Sequence, residues 1–361
     1  MIDSPELNTP ISRYVSPAAV TGVEPLGNAG GWSGSRLWRL TISGEQLTAR
    51  GSGLLGRQFA NTSANTFCLR RWPRVHPSPD RLRQIHTILT QVVARGIDFV
   101  PVPLSALDGS TAIDHASHLW ELTPWMPGVA DFHQRPSRAR LAAAMESLAR
   151  FHAAAATVES PKKGETPQIP APPAPALTER LGSLEELVQG RFAEIVGATR
   201  HAITPELDLR ARQLLDLTHN RLQPLLTHIR SVASRTLCLQ PAIRDLWHDH
   251  VLFTGDEVTG IVDFGAMRID TPLTDIARLV GSLVKDDDAE RRFALDAYSR
   301  LNPLSDADRQ LIDLLDQSGI TLGGLNWIRW LYLERRDMGP LEAILKRLDE
   351  IIRRLQASTQ A

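Results

Sequence analysis

A chain of 361 residues, 42% hydrophobic and 22% charged, has the make-up of a globular protein of about two domains. Its 40 basic and 41 acidic residues leave a formal charge of -1, so no overall field draws it toward nucleic acid or an anionic membrane, and small or neutral partners are expected. The amino terminus has no basic segment followed by an apolar one, and no run is apolar enough to span a bilayer, which points to the cytoplasm. In that reducing compartment Cys68 and Cys238, each in an apolar strand-like run, are expected as small hydrophobes rather than as a disulfide or metal site.

In chain order, Ala19 to Val23, Leu37 to Ile42 and Thr66 to Arg70 read as strands of a small twisted antiparallel sheet, with a polar, glycine-rich loop from Ser43 to Asn65. From Asp80 to Arg95 the period changes: Leu82, Ile85, Ile88, Leu89 and Val92 fall on one helical face, and Gly96 is a stop signal. Val100-Pro101-Val102-Pro103 forces extended backbone, and Ser117 to Thr123 has strand character. Pro124-Trp125-Met126-Pro127-Gly128 breaks that strand, and a domain boundary is expected there: residues 1–123, a hinge at 124–128, and residues 129–361.

Beyond the hinge the periodicity predicts helices over Arg138 to Ala156, Leu177 to Thr199, Asp208 to Ser231, Pro272 to Leu283, Asp288 to Leu301, Ser305 to Arg336 and Leu341 to Gln356. Ser160 to Ala176 carries Pro170, Pro172, Pro173 and Pro175 and reads as a linker or surface loop. No repeat of solenoid length is present.

The exception to the helices is a strand pair, Val251 to Phe253 and Val258 to Phe264, joined by Thr254-Gly255-Asp256-Glu257. Closing that hairpin brings Asp245, just before it, and Asp263, at its end, to one place. Phosphoryl transfer needs such a pair: one carboxylate to accept the proton of the attacking hydroxyl and another to hold a divalent cation against the phosphates. From these residues alone Asp263 could equally cap a turn with Phe264-Gly265, and Asp245 could be an ordinary loop acid.

The surrounding residues resemble the aminoglycoside phosphotransferase family, in the kinase-like superfamily that includes choline and homoserine kinases. Arg244-Asp245-Leu246-Trp247-His248-Asp249-His250-Val251-Leu252, then Gly260-Ile261-Val262-Asp263-Phe264-Gly265, then Asp275-Ile276-Ala277 match its catalytic and metal loops without a gap. Gly30-Gly31-Trp32-Ser33-Gly34-Ser35 resembles the nucleotide loop, in which small residues let backbone N–H groups approach phosphate. Phe67-Cys68-Leu69-Arg70 resembles the strand that carries the phosphate-binding cation, here an arginine whose fork can hold two oxygens, with Arg71 and Arg74 as rival choices. Trp120 to Gly128 resembles the hinge, which makes the Met126 N–H and the Pro124 carbonyl candidates for the adenine edge. Leu148 to His152 resembles the family's Leu-His helix, with His152 as a buried structural residue.

The resemblance covers roughly residues 15 to 285 in family order. It implies an α+β, protein-kinase-like two-lobed fold, with a small antiparallel sheet and one helix in the amino-terminal lobe and a larger, mostly helical carboxy-terminal lobe. The implied activity is transfer of the ATP γ-phosphoryl group to a hydroxyl of a small molecule, with Asp245 as base and Asp263 as metal ligand. Four departures bear on it. Ile243-Arg244 replace His-Gly, and Arg244 could either stabilise the transferring phosphoryl charge or pair with Asp245. His250 replaces the metal-holding asparagine, which opens the choice of magnesium, manganese or zinc, unless Asp249 supplies an oxygen. The helix position expected to carry a glutamate against the strand cation is Ile85, between Gln84 and His86, so no carboxylate is offered there. The alternatives are a related protein that binds nucleotide or metabolite without transfer and, more distantly, a metal-dependent phosphohydrolase built on His248, Asp249 and His250. The aromatic run Leu325 to Tyr332 is expected in a core rather than as a substrate wall, and Arg329, Arg335 and Arg336 beside Glu334 argue against a polycationic acceptor.

Overall fold

The structure, a computed structural model, describes residues 5–27, 34–43, 65–158 and 173–357. The chain divides into two compact units, Met1–Ser160 with Ile243–Arg268 and Pro161–Ala242 with Ile269–Ala361. The segment Ser43 to Asn65, expected as a loop, lies mostly outside the described residues, as does most of the proline-rich stretch.

The first unit holds a five-stranded sheet in the order β1-β2-β3-β5-β4, formed by β1 (Val20–Pro25), β2 (Arg36–Ile42), β3 (Thr66–Arg71), β4 (Ile113–His115) and β5 (His118–Pro124). All the pairings are antiparallel. Alternation gives it two different faces. Trp38, Leu40, Ile42, Phe67, Leu69, Trp120 and Leu122 turn to one face and bury with Leu7, Ile11 and Tyr14 of a helix at Pro5–Tyr14.

That helix was not expected from the pattern. Pro10 lies inside it, ten residues are too few to be helical on propensity alone, and its stability comes from burying Leu7, Ile11 and Tyr14 against the sheet. The Tyr14 hydroxyl donates to the carbonyls of Thr111 and Trp120, at 3.2 Å each.

The expected second helix runs Pro79–Ala94, capped by Ser78, whose side chain accepts from Arg81 N–H. All five residues of its apolar face are buried. A third helix of this unit, Arg138–Ala156, buries His152 and sets Phe151 against Phe264, ring centroids 5.8 Å apart. After a short strand β6 (Gln240–Ala242), β7 (Val251–Thr254) and β8 (Glu257–Ile261) form the hairpin, shorter than expected at its carboxy-terminal side.

The second unit is helical. Where one helix was expected over Leu177 to Thr199 there are three segments, because Gly190 at φ +143° interrupts the run. The stretch from Asp208 to Ser231 is two helices, Pro205–His219 and Leu222–Val232. Cys238 lies in an irregular, exposed segment rather than in a strand, and both cysteines are free thiols. Trp327, Ile328, Leu331 and Tyr332 are buried, as core packing requires, and Glu334 pairs with both Arg329 and Arg336.

Candidate active site

The pleat decides between the neighbouring arginines. In the β2–β3–β5 register Leu37, Arg70 and Glu121 stand opposite one another, as do Arg36, Arg71 and Trp120, so Arg70 and Arg71 leave the sheet on opposite faces. Arg71 turns to the amino-terminal helix and pairs with Glu6. Arg74 is exposed beyond the strand. Of the three arginines, Arg70 reaches Asp263: its Nη1 donates to Asp263 Oδ1 at 2.8 Å, its Nε lies 3.6 Å from Glu121 Oε1, and its guanidinium carbon sits 4.5 Å from the centre of the Trp72 ring. Two carboxylates raise its affinity for the proton, although burial works the other way.

Glu121 is the partner that the helix sequence did not offer. Its second oxygen lies 2.7 Å from His86 Nε2, and His86 Nδ1 is 2.8 Å from Thr111 Oγ1. Because a carboxylate only accepts, Nε2 must donate to it. Ile85 is buried in the apolar face of its helix, so the absent glutamate would have had to sit in that core. Glu121 was legible only as a lone acid in an apolar strand, and its meaning required the register with Arg70.

Asp263 follows β8 in a left-handed conformation, φ +67°, and Phe264 buries against Phe151. Gly265 is required by proximity: a Cβ there would come within 2.7 Å of the Trp72 ring. The loop is held from the Pro79–Ala94 helix side, where Arg81 donates to the carbonyls of Ala266 and Met267 and His76 Nε2 lies 3.1 Å from the Gly265 carbonyl. Burial pushes the Asp263 carboxyl up, but the Arg70 guanidinium, with smaller contributions from His250 and the Gly265 N–H, holds the group below the usual carboxylate range.

Asp245 lies in the loop that enters the hairpin. His250, expected as a metal ligand, has both ring nitrogens engaged in this loop. Trp247 Nε1–H donates to His250 Nε2 at 2.9 Å, so the ring proton is on Nδ1 and is donated to the Asp245 carbonyl at 2.8 Å. Nε2 is 3.7 Å from Asp263 Oδ2. The histidine thus ties the Asp245 backbone to the neighbourhood of Asp263. Asp249 is exposed and lies 3.3 Å from His248. Among the described residues no group of three or more His, Cys, Asp or Glu side chains is placed to hold a metal ion.

Arg244 adopts φ +69°, a conformation that a Cβ makes costly, at the position where the resemblance places glycine. Arg244→Gly is therefore expected to leave stability unchanged or raise it by up to about 1 kcal/mol in urea unfolding. A loss larger than that would show that Arg244 side-chain contacts outweigh the backbone strain.

The segment 124–128, expected as a hinge, lies inside the first unit and is anchored on the hairpin. Val129 and Phe253 exchange both backbone hydrogen bonds, at 3.0 and 2.9 Å, and Thr259 Oγ1 donates to the Pro127 carbonyl at 2.9 Å. Gly128, at φ +95°, leaves no room for a Cβ, which would lie 2.8 Å from the Phe253 carbonyl oxygen. Pro124 ends β5, the Trp125 N–H is taken by Thr66, and the Met126 side chain is buried. In the expected nucleotide loop Gly30, Gly31 and Ser33 lie outside the described residues. Gly34, at φ +80°, and the buried Ser35 lead into β2.

Residues 46–315 match the APH model, the phosphotransferase enzyme family. No curated protein matches the chain significantly. Solved structures resemble it at low identity. An aminoglycoside phosphotransferase from Alicyclobacillus acidocaldarius is 14% identical with a TM-score of 0.61, over 97% of this chain and 92% of that one. An amicoumacin kinase solved with AMP-PNP, Ca2+ and amicoumacin is 14% identical with a TM-score of 0.62, over 99% and 94%. A choline/ethanolamine kinase family protein from Mesorhizobium loti is 16% identical with a TM-score of 0.55, over 98% and 99%. These likenesses bear out the α+β, kinase-like two-lobed fold. The chain belongs to the phosphotransferase enzyme family.

Proposed function

We propose that the protein moves the γ-phosphoryl group of ATP to a hydroxyl of a small molecule. One observation carries the reading: Arg70 and Asp263, 193 residues apart in sequence, meet at 2.8 Å, which puts a phosphate-binding cation beside a carboxylate suited to a phosphate-bound metal. In this reading Asp245 orients the acceptor hydroxyl and takes its proton as the oxygen attacks the γ-phosphorus and the bond to the bridging oxygen of ADP breaks. Arg70 binds the α- and β-phosphates, with backbone N–H groups of the loop that includes Gly34 and Ser35. Pro124 and Met126 offer backbone groups to adenine. Arg244 is positioned in sequence to meet the transferring charge.

A divalent cation, when bound, would offset the charge of the phosphates, and Asp263 would be its carboxylate ligand. Magnesium suits such a site, because it takes one or two carboxylates together with phosphates and water. His250 joins as a ligand, favouring manganese or zinc, only where Trp247 releases Nε2.

Thermal unfolding with ATP or ADP, each with magnesium, manganese or zinc, tests the reading. At a nucleotide concentration a hundred times Kd, binding adds about 2.7 kcal/mol to stability. The absence of any nucleotide-dependent shift would sink the proposal. A second reading, nucleotide binding without transfer, is favoured by one feature: Asp263 Oδ1 is already engaged by Arg70. It predicts the thermal shift with no turnover on a panel of hydroxyl compounds.

A further inference from the structure

We propose that Glu121, oriented by His86, takes the place of the missing helix carboxylate and positions Arg70 for the nucleotide phosphates, an inference that rests on reading the protein as an ATP phosphotransferase. The geometry supports a positioning role. Glu121 is directly opposite Arg70 on the adjacent strand, so the two side chains share a face whatever their rotamers. Asp263 accepts from Nη1, the Glu121 carboxylate lies 3.6 Å from Nε as a counter-charge, and the Trp72 ring lies 4.5 Å from the guanidinium carbon, while Nη2 makes no hydrogen bond among the described residues. An edge of the fork is thereby left for an anion.

The two carboxylates cannot be equivalent partners during the reaction. Asp263 must turn its charge to a metal when nucleotide is bound, and its hold on Arg70 then weakens. Glu121 is nearly buried and tied from behind by His86, so it remains as the counter-charge that keeps Arg70 in place. His86 is also the route by which the Pro79–Ala94 helix meets the cation. It sits one residue past Ile85 and bridges Glu121 to Thr111. The helix thus acts on Arg70 through an imidazole and a strand carboxylate rather than through its own acid.

The test compares the full-length protein with Glu121→Gln, Glu121→Asp and His86→Gln, measuring calorimetric affinities for adenosine and for ADP together with turnover. Glu121→Gln should leave adenosine affinity unchanged and weaken ADP by about tenfold to a hundredfold, the range for one charge-assisted hydrogen bond. Turnover should fall at least as far, with Glu121→Asp recovering part of both. His86→Gln, which keeps a donor, should show a smaller loss of the same kind and supplies the comparison if Glu121→Gln does not fold. Equal weakening of adenosine and ADP would mean a merely structural residue and overturn the proposal, as would unchanged ADP affinity. A parent that binds ADP but transfers nothing would overturn the transferase reading alone, and the ADP-to-adenosine ratio would still decide the role of Glu121.

Discussion

Asp245→Asn is expected to bind ATP as the parent does and to lose about 10²–10⁴-fold in turnover, the share a positioned general base contributes. The substitution is isosteric, and the backbone carbonyl that receives the His250 Nδ1–H is unchanged, so the loop should keep its shape. What disappears is the capacity to take the proton of the acceptor hydroxyl. Asp263→Ala should behave differently. It removes the partner of Arg70 Nη1 and the carboxylate proposed for the metal, so turnover should fall and the extra thermal shift given by a metal together with ADP should vanish. Steady-state turnover and metal-dependent unfolding of the two variants therefore separate the roles. If Asp245→Asn turned over at the parent's rate, Asp245 would not be the base.

In the second unit the largest expected effect is at Asp316, which bonds Arg291 Nη1 at 3.1 Å and Arg354 Nη2 at 2.9 Å from within the helix Asp306–Ile328. Its side chain is 10% exposed, and the two arginines are 14% and 18% exposed. Removing the carboxylate leaves two poorly hydrated cations with weaker counter-charges: Asp313, half exposed, beside Arg291, and Asp286, 3.8 Å from Arg354. Breaking a buried charge arrangement from one side costs about 3–5 kcal/mol, and the remaining partners put Asp316→Ala near about 3 kcal/mol. For a unit of this size that corresponds to a midpoint lower by roughly 6–12 °C in thermal unfolding. Gly281 reports on the same cluster, because a Cβ there would lie 2.3 Å from the Asp316 carboxylate. A change below about 1 kcal/mol in Asp316→Ala would show that the arginines find water or other acids at no cost.

What could be read directly was local. The alternation of Leu37 to Ile42 and Thr66 to Arg70, the helical spacing of Leu82 to Val92, and the short distance from Asp245 to Asp263 through a glycine turn each depend on neighbours in the chain. The run from Arg244 to Gly265 is local too, and it pointed to phosphate chemistry through its resemblance to a known family. The amino-terminal helix escaped because Pro10 reads as a breaker and its stability lies in what it covers.

Spacing along the chain determined the hairpin and the two acids around it, and the resemblance of its motifs to a known family implied the kind of fold. Only tertiary structure decided which arginine faces Asp263, that Glu121 rather than a helix residue neutralises it, and that Trp247 occupies the ring nitrogen of His250. The physical reason is register. A shift of one residue between β3 and β5 would turn Arg70 and Glu121 to opposite faces, and no local pattern in either strand specifies that alignment. Burial of Trp38, Leu69 and Leu122 on the other face holds it there, so the partner of Arg70 is set by the core behind the sheet.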